Sequence, residues 1–72
     1  MKDKNYYIII HINQNHSSFY TINDDCIFTS NITKAHIYTR IEDARYDCYM
    51  IKRIGNYNVI IQKITREELY GN

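Results

Sequence analysis

Three histidines, two cysteines and one pair of adjacent aspartates carry most of the reactive chemistry in this chain. His11, His16 and His36 lie in three different segments. None forms a Cys-x-x-Cys or His-x-x-x-His spacing of the kind that structural zinc sites display. No native metal site is therefore expected. Cys48 falls on the apolar face of an expected helix, the wrong environment for a reactive thiolate. Cys26 is expected in a strand, so both cysteines are taken as free thiols that pack as small hydrophobes. Asp24-Asp25 would alternate faces on a strand, and they suit a turn instead. Gly55 and Gly71 are the only glycines, so no glycine-rich loop cradles phosphate. These absences point away from an enzyme, and no cofactor is expected.

The chemistry that remains is that of contact. Tyr46, Tyr49, Met50 and Arg53 lie on the side of the expected helix opposite its apolar stripe. Tyrosine, methionine and arginine are the types enriched at protein interfaces. These four residues form the expected contact patch for a partner or a second subunit.

The helix that must position them is well marked. Ile41, Ala44, Cys48 and Ile51 recur at i, i+3, i+7 and i+10, one face of an α-helix. Thr39-Arg40-Ile41-Glu42 has the form of a capping box. Lys52 and Arg53 sit in the last turn, where cations suit the dipole. Gly55 follows as a left-handed terminator. The helix is predicted over Arg40 to Ile54.

The rest of the chain reads as strand. Tyr6 to Ile12 is a short continuous run of β-branched and aromatic residues, suited to a central strand buried on both faces. Asn13 to Ser18 has turn chemistry, and Phe19 to Ile22 completes a hairpin. Asn23-Asp24-Asp25 is another turn, before a brief strand at Cys26 to Thr29. Ser30 to Ala35 fits either a capped helical turn or a loop, and Ala35 to Tyr38 is extended. The last strand is expected at Tyr57 to Ile64, with an unpaired edge. Thr65-Arg66-Glu67-Glu68 repeats a weaker capping box, and residues 65–72 form either one frayed turn or a loose tail. The order β-β-β-α-β gives one α+β domain over residues 1–72. Its architecture is a small sheet of three to four strands with one helix packed on one face.

Composition narrows the partners. Fourteen isoleucines and eight tyrosines stand against one leucine and one valine, which favours strands. Part of that bias also looks like the codon usage of an AT-rich genome. Nine basic and eight acidic side chains leave a net charge of +1. That balance lacks the basic stripe of a nucleic-acid binder. It gives no attraction to an anionic membrane surface either. No apolar run approaches a membrane span, and the first residues lack the form of a signal peptide, so a cytoplasmic location is expected. A core this thin suggests self-association, with a homodimer expected.

The segment Ile32-Thr33-Lys34-Ala35-His36-Ile37-Tyr38-Thr39-Arg40-Ile41-Glu42-Asp43-Ala44 resembles a pattern in small uncharacterised phage and prophage proteins of Gram-positive bacteria. There a hairpin leads to an Ala-x-x-aromatic-Thr segment, an acidic helix start and a final strand. The resemblance covers the middle third of the chain and the order of elements. It implies a phage accessory role, such as inhibiting a host enzyme or a defence system in the host cytoplasm, and it transfers no functional residue. Three functions follow as expectations. The first is a phage-type inhibitor acting by protein-protein contact with a host protein. The second is an oligomer binding a small molecule such as a signalling nucleotide. The third, disfavoured by charge, is a nucleic-acid accessory factor.

Overall fold

The computed structural model describes residues 5–14, 16–22 and 25–70. Strand β1 spans Tyr6–Asn13, β2 His16–Tyr20 and β3 Phe28–Thr29. A 3₁₀ turn at Ile32–Lys34 leads to helix α1, Ile41–Gly55. Strand β4 is Val59–Ile64, and a short helix α2 follows at Arg66–Tyr70. The four strands form one antiparallel sheet in the order β3-β2-β1-β4. This is the expected α+β domain, with β1 at the centre as its uninterrupted apolar run requires.

Successive residues of β1 point to opposite faces, and both faces are covered. On the first face Ile9, Tyr38, Ala44, Cys48 and Val59 form a buried cluster beneath α1. On the second, Ile8, Ala35, Ile64 and Leu69 form another. Ile8 and Ile9 are both fully buried, each worth about 1.5–3 kcal/mol of burial. The second face is closed by the 3₁₀ turn and α2. Of residues 65–72, expected as a frayed turn or a loose tail, Arg66–Tyr70 form a helical turn docked by Leu69, only 2% exposed, and Gly71 and Asn72 lie outside the described residues. Its capping box closes in both directions. The Thr65 amide donates to Glu68 Oε1 at 2.8 Å, and the Glu68 amide donates to Thr65 Oγ1 at 3.2 Å.

Several boundaries differ from expectation for identifiable reasons. Asn13 and His16–Ser18 are strand, because Asn13 pairs directly with His16, and Asn15 of the expected turn lies outside the described residues. The turn expected at Asn23 and Asp24 lies outside the described residues. Cys26 is exposed in the bend before β3, so it is not the buried strand thiol expected, whereas Cys48 is buried. The ambiguous segment after Ser30 is a capped turn. The Asn31 side chain accepts from the Thr33 amide at 3.0 Å.

At α1 the capping box does not form. Arg40 occupies the N-cap in extended geometry, with no side-chain cap bond. Glu42 instead lies 3.7 Å from Arg40 Nε. Tyr38 is tied to Tyr7 by two backbone bonds of 2.9 Å. That bridge fixes where the chain leaves the sheet and places Thr39 one residue too early to cap. At the other end, Asn56 and not Gly55 takes the left-handed conformation, with φ 57° and ψ 34°. A Cβ on Gly55 would fall on the Tyr57 ring. Gly55 is needed for that close approach.

Candidate binding groove

Helix α1 packs on β4 and β1 through Ala44 and Cys48, two small residues that let it lie close to the sheet. Strand β3 has only two residues, and its Phe28 is only partly buried against the cluster beneath α1. The first face is therefore covered on the β1–β4 side and open beside α1 toward β2. The opening is a groove of about 250 Å³, lined by Tyr20, Ile27, Asp47, Met50, Ile51, Ile54, Gly55 and Tyr57.

Aromatic rings pave the sheet beside it. Tyr57 meets His11 edge-on at 5.3 Å, and His11 stacks on Phe28 at 4.4 Å. Phe28 contacts Tyr20 at 6.5 Å, Tyr20 contacts His36 at 6.4 Å, and His36 contacts Tyr38 at 4.5 Å. Edge-to-face pairs of this kind contribute beyond simple burial. His11 is thus a packed histidine, also placed 3.4 Å from Ser18 Oγ.

One charge lies in the groove. Asp47 is half-buried on the flank of α1. The buried Tyr38 hydroxyl donates to its Oδ2 at 2.6 Å, a short charge-assisted bond. Burial, then that bond and the charge of Asp47, hold the Tyr38 hydroxyl far above the ordinary tyrosine range. Burial, and secondly Asp47, raise Tyr20 as well. On the far side of Asp47 is a polar hollow of about 390 Å³, with His36, Tyr38, Asp43 and Tyr46 among its lining residues.

The four expected contact residues are divided by this geometry. Met50 lines the groove. Tyr46, 64% exposed, lines the polar hollow. Tyr49, 56% exposed, accepts a hydrogen bond from Arg53 Nη1 at 3.0 Å, so these two form a separate exposed pair. The sequence reading missed Tyr20, Ile27, Asp47, Ile54 and Tyr57. Ile54 was the available signal, because it is an isoleucine off the apolar stripe, and it is the most exposed large hydrophobic described, at 75%.

Among the described residues, no group of three or more histidine, cysteine or acidic side chains is placed to hold a metal ion. No helix among them is long and apolar enough to cross a membrane. The chain matches no protein-family model, no curated protein and no solved structure.

Proposed function

We propose that this chain is a non-catalytic binding module that engages a partner protein through the groove beside α1 and the exposed side of that helix. The observation that carries this is an apolar groove with large hydrophobics left at its rim. Ile27, Ile54 and Tyr57 are all exposed there, next to Met50. Contiguous exposed apolar surface of this kind marks interaction sites. Tyr46 and the Tyr49–Arg53 pair stand apart from the groove on the exposed side of α1 and add the residue types that anchor interfaces. The resemblance of Ile32 to Ala44 to phage accessory proteins makes a host protein the proposed partner and inhibition of it the proposed outcome.

The nucleotide alternative fares worse on charge. The polar hollow is large enough for a small ligand, but Asp43 and Asp47 both line it. A phosphate there would face two carboxylates and gain nothing from them.

The test is affinity capture from a Gram-positive host lysate with three folded proteins. These are the wild type, Ile54→Lys, and the double variant Tyr46→Ala with Arg53→Ala. All three positions are exposed, so melting temperatures should agree closely. A protein held by the wild type should be lost with Ile54→Lys. The double variant should bind it about a hundredfold more weakly, about 3 kcal/mol. Equal capture by all three would refute the assignment of this surface.

A further inference from the structure

We propose that the groove receives the side chain of a lysine or arginine presented by the partner protein. This rests on the groove being the binding surface and adds the chemistry of its occupant.

Size comes first. At about 250 Å³ the groove falls below the roughly 300–1,000 Å³ typical of small-molecule pockets. A single long side chain suits it better than a cofactor. The lining then selects among side chains. Ile27, Met50, Ile51 and Ile54 offer only hydrocarbon and a thioether. Tyr20 and Tyr57 offer rings, and Asp47 offers a carboxylate. A purely aliphatic guest would cover Asp47 without giving it a partner, which costs desolvation. An acidic guest would be repelled. A guest with an apolar stem and a cationic head matches every wall. Its methylenes lie against the isoleucines, its head meets the carboxylate, and the rings attract the same charge.

Asp47 is also left without an internal cation. Among the described residues no basic side chain pairs with Asp47, and Arg40 pairs with Glu42. Arg53, in the last turn of α1, bonds Tyr49 instead. The Tyr38 hydroxyl engages Oδ2 and holds the carboxylate in place without neutralising it. Asp43 lies one turn back along the same flank and lines the adjoining hollow. The negative field at this end of the groove is therefore shared by two carboxylates.

The experiment is selection from a random dodecapeptide display library on the full chain, followed by synthetic peptides measured by fluorescence anisotropy. Isoleucine methyl shifts in NMR locate each peptide. Groove binders should move Ile27 and Ile54 and share one lysine or arginine. Replacing that residue by norleucine, or an arginine by citrulline, should weaken binding at least tenfold. Asp47→Asn keeps an oxygen for the Tyr38 hydroxyl and should bring charged and neutral peptides within twofold of each other. The charged-to-neutral comparison on the wild type stands even if that variant melts early. Groove-bound peptides with no preference for a basic residue would overturn the inference and leave the groove as the binding surface. Peptides that bind elsewhere, or that still bind Ile54→Lys, would overturn both. A selection yielding no binder would also count against both.

Discussion

Replacing Tyr38 with phenylalanine removes one oxygen from the seam between the sheet and α1. That oxygen donates to Asp47 at 2.6 Å, and its ring is 5% exposed in the core beneath the helix. Hydrogen bonds to charged groups contribute about 1.5–3 kcal/mol. Asp47 is only half-buried, so its carboxylate regains water when the hydroxyl is lost. The lower end applies, about 1.5 kcal/mol at neutral pH. In a domain of this size each kcal/mol moves the melting temperature by roughly 4–8 °C. Tyr38→Phe should therefore melt about 6–12 °C lower.

The pH dependence gives a sharper test. In the folded chain Tyr38 stays protonated well above its ordinary value, through burial and the Asp47 contact. In the unfolded chain it ionises near pH 10. Above that pH the unfolded state binds fewer protons than the folded state, so stability falls. This group alone should remove up to about 1.4 kcal/mol per pH unit. The variant lacks the group and escapes that loss. Its deficit of about 1.5 kcal/mol should shrink above pH 10 and close near pH 11. Tyr20, raised for related reasons, contributes with the same sign and is retained in both proteins. Urea titrations from pH 7 to 11 measure the difference. A deficit under about 0.5 kcal/mol at pH 7 would refute the energetic argument, as would alkaline limbs that run parallel.

Three further predictions concern the frame around the groove. Thr65→Ala opens the capping box on α2 and should cost about 1 kcal/mol, with amide exchange accelerated first at Leu69. Asn56 holds a left-handed backbone. Asn56→Ala should destabilise by about 1 kcal/mol and Asn56→Gly should not, as thermal melts of the pair will show. Homodimerisation is expected through the edge of β4, and light scattering at micromolar concentration should find a dimer. Ile61→Pro removes an edge donor and should return it to monomer; a wild type that is monomeric throughout would rule the edge out.

The dimer prediction also shows where sequence patterns stop. The unpaired edge was legible from Tyr57 to Ile64, yet only part of it is open. Tyr7 exchanges its backbone bonds with Tyr38, away from β4. By antiparallel alternation, Val59, Ile61 and Lys63 direct their amides and carbonyls outward. Val59 is fully buried, and its carbonyl lies 3.8 Å from the Cys48 thiol. Helix α1 thus closes the first of these positions and leaves Ile61 and Lys63. The periodicity that located the helix says which face is apolar. It does not say how far that face reaches across the sheet.

The same reasoning explains why the core was easier to read than the groove. Ala44 and Cys48 follow from a 3.6-residue period, and Ile8 and Ile9 from an unbroken apolar run. Both are local patterns with one physical solution. Ile41 shares the period but sits half-buried at the first turn of the helix, because the Tyr7–Tyr38 bridge sets where α1 begins. The groove depends on such long-range ties throughout. Tyr20, Ile27, Asp47 and Tyr57 converge only once β2 has paired with β1, Tyr38 has bridged to Tyr7, and Gly55 has let the Tyr57 ring swing onto His11 and Phe28. Tyrosine on the outer face of a helix could be named from spacing alone. An aspartate held by a tyrosine nine residues earlier in the chain could not, because no helical or strand period relates the two. What joins them is the sheet, and it is the opening beside α1 that leaves Asp47 lining the groove.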